Sequence, residues 1–354
     1  MLSVGGRNKD MTLDNIHLPY ESWLVTNPIN YDHCFLCWTP LTDANRTDEH
    51  VFPKWMQDDF DLFSQPLTLP NKTWIPYRQT RVPCCRTCNN EALSQLEQMV
   101  AASVRSGFDD FVQAVPKKQQ FLWLQCLFYK MLYRDISLRS DRSKPDSSTI
   151  AAPLDLASLR LSHAFLRGID KNVEFKGCFP ASIYVVRTKT GSDPSLNFDY
   201  IDSIPDVCMG IRMNDIGIVA LLRDGALHEM VMNPQMPGGL LDREFNPVQF
   251  RNLFAKLLYH QKLFVDPLKY GITPCGDDSL EISIEIKDEN EFKALYVYGP
   301  ENREGYGQLL AQVLGTTVDA LRLPDGSIGS LFFDGEGNWK DRSFDDDGTT
   351  RDET

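Results

Sequence analysis

Two short cysteine pairs, Cys34-x-x-Cys37 and Cys85-x-x-Cys88, carry the clearest chemistry in the sequence. Two residues between thiolates allow a tight turn to aim both sulfurs at one ion, and two such turns complete a tetrahedral shell. Four thiolates leave no open position, so the expected ion is a structural Zn2+ rather than a catalytic one. Cys84 competes with Cys85 for one place in that shell, and the spacing to Cys88 favours Cys85. Nine cysteines, an odd number, suit a metal site in a reducing compartment better than a disulfide framework. Cys126, Cys178, Cys208 and Cys275 read as buried thiols.

Between the pairs lies Thr47-Asp48-Glu49-His50-Val51-Phe52-Pro53, and Asn89 follows the last cysteine directly. An acid beside a histidine is weak evidence alone. Flanked by two metal-binding turns, with an amide at a helix start, it becomes a candidate site.

This arrangement resembles the zinc-bound kind of HNH, or ββα-metal (His-Me finger), endonucleases, over about residues 31–105. In that family a strand ends in an acid–histidine pair, an irregular loop follows, and a second strand leads into a helix. The resemblance implies that Glu49 and Asn89 ligate a catalytic Mg2+ or Mn2+ and that His50 is the general base. It also implies DNA as substrate, with RNA or branched DNA as variants. The residue types suit that chemistry: hard oxygens hold a divalent ion, and a neutral imidazole can take a proton from water near pH 7. Three departures stand out. Glutamate replaces the usual aspartate, about thirty residues separate His50 from Cys85, and the lysine often found in the helix after the asparagine is missing. The insert holds Trp55, Phe60, Phe63, Leu67, Leu69 and Trp74, which read better as packing than as a base-stacking surface.

Lys54, Arg78, Arg81 and Arg86 are the candidates for phosphate contact, with a solvated surface charge as the plainer reading of each. A net charge of -13 argues against non-specific coating of DNA but leaves room for a local basic groove. No phosphate-cradling glycine-rich loop is present. His163, His228 and His260 lack neighbouring ligands in the sequence and read as structural. The non-enzymatic alternative keeps the zinc fold as a treble-clef-like platform for nucleic acid or protein, with Glu49 and His50 in structural roles.

The elements that must position these residues follow from periodicity. Leu93, Leu96, Val100 and Val104 recur at helical spacing, with Asn89 or Asn90 available as cap. A second helix is expected over 118–137 on the stripe Phe121, Leu124, Phe128, Met131 and Leu132, and a third over 154–167. Strands are expected over 182–187, 211–212, 216–222, 228–232 and 280–286, with Arg223-Asp224-Gly225 as a hairpin turn and a helix over 247–264.

The fold class expected is therefore α+β. It has an N-terminal arm (1–30), a zinc-stapled ββα module (31–105), and a helical region (106–170) with a linker near 139–150. A mixed α+β domain (171–334) of regulatory, substrate-selecting or partner-holding role and a disordered acidic tail (335–354) complete it. Hydrophobic content of 42% and charged content of 24% exclude wholesale disorder. No apolar run is long enough to span a membrane and the first residues lack a secretory core, which points to the cytoplasm. Large unassigned C-terminal domains on such nucleases suggest, by association, bacterial or phage defence.

Overall fold

The computed structural model describes residues 31–69, 73–135, 156–232, 236–263, 268–276, 278–286 and 302–346, with scattered positions between 138 and 148. The expected N-terminal arm lies outside the described residues, as do 140, 142, 145, 149 and 150 of the expected linker.

The architecture is mixed α+β. The first unit opens on a turn at Cys34–Cys37, closed by Trp38, a non-glycine residue at φ 60°, and tied back by the Cys34 N–H to the Thr39 carbonyl at 2.9 Å. Strand β1 (Arg46–His50) follows, then helix α1 (Lys54–Asp59) and a small hairpin of β2 (Pro66–Thr68) and β3 (Trp74–Pro76). Strand β4 (Arg81–Cys85) returns antiparallel to β1, with Glu49 opposite Val82 and His50 opposite Arg81. The chain leaves β4 through a wide π turn over Cys88–Leu93 into α2 (Ser94–Ser106), whose Leu96, Val100 and Val104 are buried as their spacing expects.

Helix α3 (Phe108–Ala114) and then α4 (Lys117–Asp135) follow. The expected stripe on α4 is buried, but so are its other sides, including Gln125 and Lys130. A helix enclosed on all sides is a central helix rather than a surface one. Helix α5 (Leu156–Leu166) packs against it.

Two sheets complete the chain. Strand β5 (Asn172–Gly177) belongs to a three-stranded sheet; β6 (Ser182–Thr188), β7 (Phe198–Ser203), β8 (Cys208–Met213) and β9 (Ile216–Leu221) belong to a five-stranded one. Every residue of β8 and β9 is buried, so these strands read as continuous apolar runs without alternation. The segment expected as a strand at 228–232 is instead α6 (Leu227–Met232). Asp224 explains the difference: its carboxylate accepts from the Ala226 N–H at 3.2 Å and the His228 N–H at 2.9 Å, so it caps a helix instead of turning a hairpin.

Strand β10 (Glu244–Phe245) pairs parallel with β6, and α7 (Pro247–Leu263) lays Phe250, Leu253, Phe254 and Leu257 into the core beside the sheet. The other sheet is ordered β11 (Leu268–Pro274), β12 (Ser279–Ile286), β5, and α8 (Arg303–Leu314) packs on α7. Residues 335–346, expected to be disordered, are anchored at a few points, with Arg342 buried. Trp339 stacks on Phe332 at 6.0 Å, and Asn246 Nδ2 donates to the Ser343 and Asp346 carbonyls at 2.9 Å. Contacts of Trp339 with Phe245, Phe332 and Phe333 hold the stretch despite its acidic composition. One buried cluster runs from Phe52 and Val82 through α4 to Ile211 and Ile284, so the N-terminal unit and the sheets share a core.

Candidate active site and metal centre

The sulfurs of Cys34, Cys37, Cys85 and Cys88 lie within 4.8 Å of one another and could hold a metal ion. A tetrahedral ion with bonds of about 2.3 Å would set its sulfurs roughly 3.8 Å apart, which this cluster accommodates. The Cys37 and Cys85 sulfurs are 3.6 Å apart, and the Cys88 N–H donates to Cys85 Sγ at 3.4 Å, as expected of a tight thiolate turn. Cys84, the competing candidate, has its sulfur 3.9 Å from Cys34 Sγ but stands outside the four. Adjacent strand residues face opposite sides, so only one of Cys84 and Cys85 can turn inward with Cys88. Beside these thiols the Cys34 thiol is held far below its usual pKa, first by hydrogen bonding from Cys37 and then from Cys84 and Cys88. The Phe35 N–H donates to the Pro83 carbonyl at 2.9 Å, which joins the first turn to β4.

Glu49, His50 and Asn89 line one cleft of about 390 Å³, together with Asp48, Lys54, Trp55, Ser94 and Glu97. The β1–β4 pairing brings the end of β1 beside the π turn that carries Asn89. Neither Asn89 nor Asn90 caps a helix: helical backbone already holds at Thr87. Asn89 instead reaches across to β1, where its Nδ2 donates to Thr47 Oγ1 at 3.1 Å. The Thr47 hydroxyl donates to the Cys84 carbonyl at 3.0 Å, so it must accept from Asn89, and the amide oxygen is left for the cleft. A π turn at such a place suits a functional site, because it re-aims side chains that a regular helix would align.

His50 is half-buried and its pKa lies below the usual histidine value, first through burial and then through Arg81, against the pull of Glu49. The shift favours the neutral form of the imidazole. Among the described residues the ring makes no hydrogen bond.

The largest departure from expectation concerns Glu49. It is buried, and its Oε1 accepts from Lys130 Nζ at 2.9 Å. The same ammonium donates to the His50 carbonyl at 2.8 Å and lies 3.6 Å from Glu97 Oε1. Burial opposes the Lys130 charge, but Glu49, Cys126 and Glu97 outweigh it and keep the ammonium protonated. Glu97 is pushed up to about 7, chiefly by burial, with Lys130 pulling the other way. Removing one partner of such a buried pair costs about 3–5 kcal/mol, because it strands the other charge. Sequence reading missed both Lys130 and Glu97. The signal for Lys130 was a lysine between Tyr129 and Met131 on a helix with no polar side to carry it.

The candidate phosphate contacts separate. Lys54 is exposed on the cleft rim, and Arg81 is exposed opposite His50. Arg78 is committed within the chain: it lies over the Phe63 ring at 5.0 Å and donates to the Phe63 carbonyl at 3.2 Å. Arg86 is exposed in the turn between Cys85 and Cys88. Of the insert, Trp55 lines the cleft, Phe60, Leu67 and Leu69 are buried, and Phe63 and Trp74 are exposed. His163 serves structure, bonding the Leu36 carbonyl at 3.0 Å within the first cysteine turn.

Among the described residues no helix is long and apolar enough to cross a membrane. Comparison of the chain with protein-family models, curated proteins and solved structures finds no match.

Proposed function

We propose that the chain is a metal-dependent endonuclease of the HNH kind that hydrolyses phosphodiester bonds in DNA, with a structural Zn2+ at the four cysteines. One observation carries this reading: an acid, an imidazole and an oriented amide share one cleft next to a four-sulfur cluster. The Glu49 carboxylate and the Asn89 amide oxygen are hard donors that suit Mg2+ or Mn2+. Lys130 takes Glu49 Oε1, leaving the other carboxylate oxygen for an ion. When bound there, the ion would neutralise charge on the scissile phosphate. His50 takes the proton of the attacking water, a task that needs the neutral ring its surroundings favour. Lys54 lines the cleft and Arg81 stands opposite His50, and both cations attract the DNA backbone. The sheets beyond α5 regulate the site or select its substrate or partner.

The Lys130–Glu49 pair favours a second reading, in which the acid is structural and the module only binds nucleic acid or protein. Incubating supercoiled plasmid, and in parallel RNA, with the full chain and Mg2+ or Mn2+ separates the two. The nuclease reading expects cleavage that His50→Ala and Asn89→Ala abolish. Equal behaviour of wild type and both variants would leave the binding module.

A further inference from the structure

Lys130 belongs to α4, well outside the β1–β4–α2 unit, yet its ammonium is wholly buried at the end of β1. Its three protons meet three oxygens: Glu49 Oε1, the His50 carbonyl and, more distantly, Glu97 Oε1. Two of these belong to the acid and the base of the candidate site, and the third to α2. An ammonium is a compact donor that can satisfy oxygens on separate elements at once, which a planar guanidinium in a closed space cannot easily do. The carbonyl of His50 is also the point where β1 ends and the chain turns towards α1, so fixing it fixes the backbone that carries the imidazole.

We propose that Lys130 is the positioning residue of this cleft, clamping the Glu49 carboxylate and the His50 backbone into one register from a helix outside the module. The inference rests on the nuclease reading for its catalytic consequence, though the clamp itself does not. Lys130 is buried and touches neither the solvent nor an incoming phosphate, so its loss acts on turnover rather than on DNA binding. Misplacing a reacting group by about 1 Å can cost 100-fold in rate. The lysine also competes with a divalent ion for Glu49, because a positive charge beside a carboxylate lowers its affinity for another cation.

The test uses the full chain carrying Lys130→Met, with Lys130→Met/Glu97→Gln as a second variant. In the double variant the carboxylate that loses its counter-charge is removed and an amide donor faces Glu49. Thermal melting and zinc content identify the folded variant, and Lys130→Met is read if it folds, the double variant otherwise. Plasmid cleavage gives kcat and KM, and Mn2+ titration without DNA gives Kd. Against the background that differs only at Lys130, wild type for the single variant and Glu97→Gln for the double, the proposal expects kcat to fall about 100-fold at a KM within twofold, and Mn2+ to bind severalfold more tightly. A folded variant whose kcat stays within threefold of that background overturns it. If wild type does not cut at all, the nuclease reading fails separately, and the Mn2+ arm decides. A Kd at least threefold tighter then supports the clamp on Glu49, and any other value overturns it.

Discussion

Asn89 Nδ2 lies 3.1 Å from Thr47 Oγ1, and that one contact ties the helix that carries the candidate ligand to the strand that ends in the candidate base. The threonine hydroxyl is spent twice, once towards Asn89 and once towards the Cys84 carbonyl. Thr47→Val keeps the shape and removes both bonds. Leaving a part-buried amide and carbonyl without partners costs about 1–3 kcal/mol, and Asn89 then rotates freely. The expected outcome is a lower melting temperature with about tenfold weaker Mn2+-dependent cleavage, largely restored in Thr47→Ser. Unchanged metal dependence in Thr47→Val would show that the hydroxyl does not orient the amide.

The sulfur geometry separates two cysteines that are adjacent in sequence. Cys85 is one of the four converging sulfurs that could hold an ion, whereas Cys84 is a buried thiol against Cys34. Cys85→Ala should lower bound metal well below one equivalent and unfold the unit between the two turns, since the ion's binding energy is also folding energy there. Cys84→Ala should keep the metal and lose only the small packing of one sulfur, about 1 kcal/mol. Metal content by mass spectrometry and melting with and without a chelator read both. Equal metal loss in the two variants would mean that the shell is wrongly assigned.

Burial sets up a pH response in the C-terminal part. His228 is buried, its Nδ1 is 2.7 Å from the Tyr184 hydroxyl, and its pKa is pushed down to about 3, first by burial and then by His260. Between that value and the unfolded value near 6.5 the unfolded chain binds more protons, so stability rises with pH through this window and is lost as pH falls through it. Asp224 acts oppositely, because burial raises it to about 6 and the folded state then holds the extra proton. Comparing wild type with His228→Gln removes the shared Asp224 contribution. The stability advantage of wild type over the variant should shrink from pH 7 to pH 4, by at most about 1.4 kcal/mol per pH unit. A difference that stays flat across that range would refute a neutral buried His228.

What could be read from the chain, and what could not, follows from how local each feature is. The cysteine turns were legible because two residues between ligands fix a geometry with no help from elsewhere. The helix at 94–106 was legible because Leu96, Val100 and Val104 repeat along one face. The clamp on Glu49 was not, because it depends on α4 meeting β1, a contact between residues 81 apart in sequence. A lysine is ordinarily solvated, and only the apolar residues around Lys130 on every side hint otherwise. Residues 228–232 misled because His-Glu-Met-Val-Met has no decisive period, and the deciding group, the Asp224 carboxylate, sits upstream of them.

The four candidate cations make the final prediction, because their surroundings assign them different work. Lys54 lines the cleft and Arg81 is exposed on β4 opposite His50, so Lys54→Ala and Arg81→Ala should each raise KM for DNA severalfold with little change in kcat. Deleting a cation that neutralises a phosphate should also reduce the salt dependence of binding by about one counterion. Arg78 already spends its guanidinium on the Phe63 ring and carbonyl and on Ser64 Oγ at 3.3 Å, so Arg78→Ala should lower the melting temperature and leave the salt slope intact. Arg86, exposed between Cys85 and Cys88 rather than on the cleft, should tolerate alanine with KM within twofold of wild type. Binding isotherms at several salt concentrations measure all four. A salt slope that drops for Arg78 or Arg86 but not for Lys54 or Arg81 would place the DNA on a different face of the module.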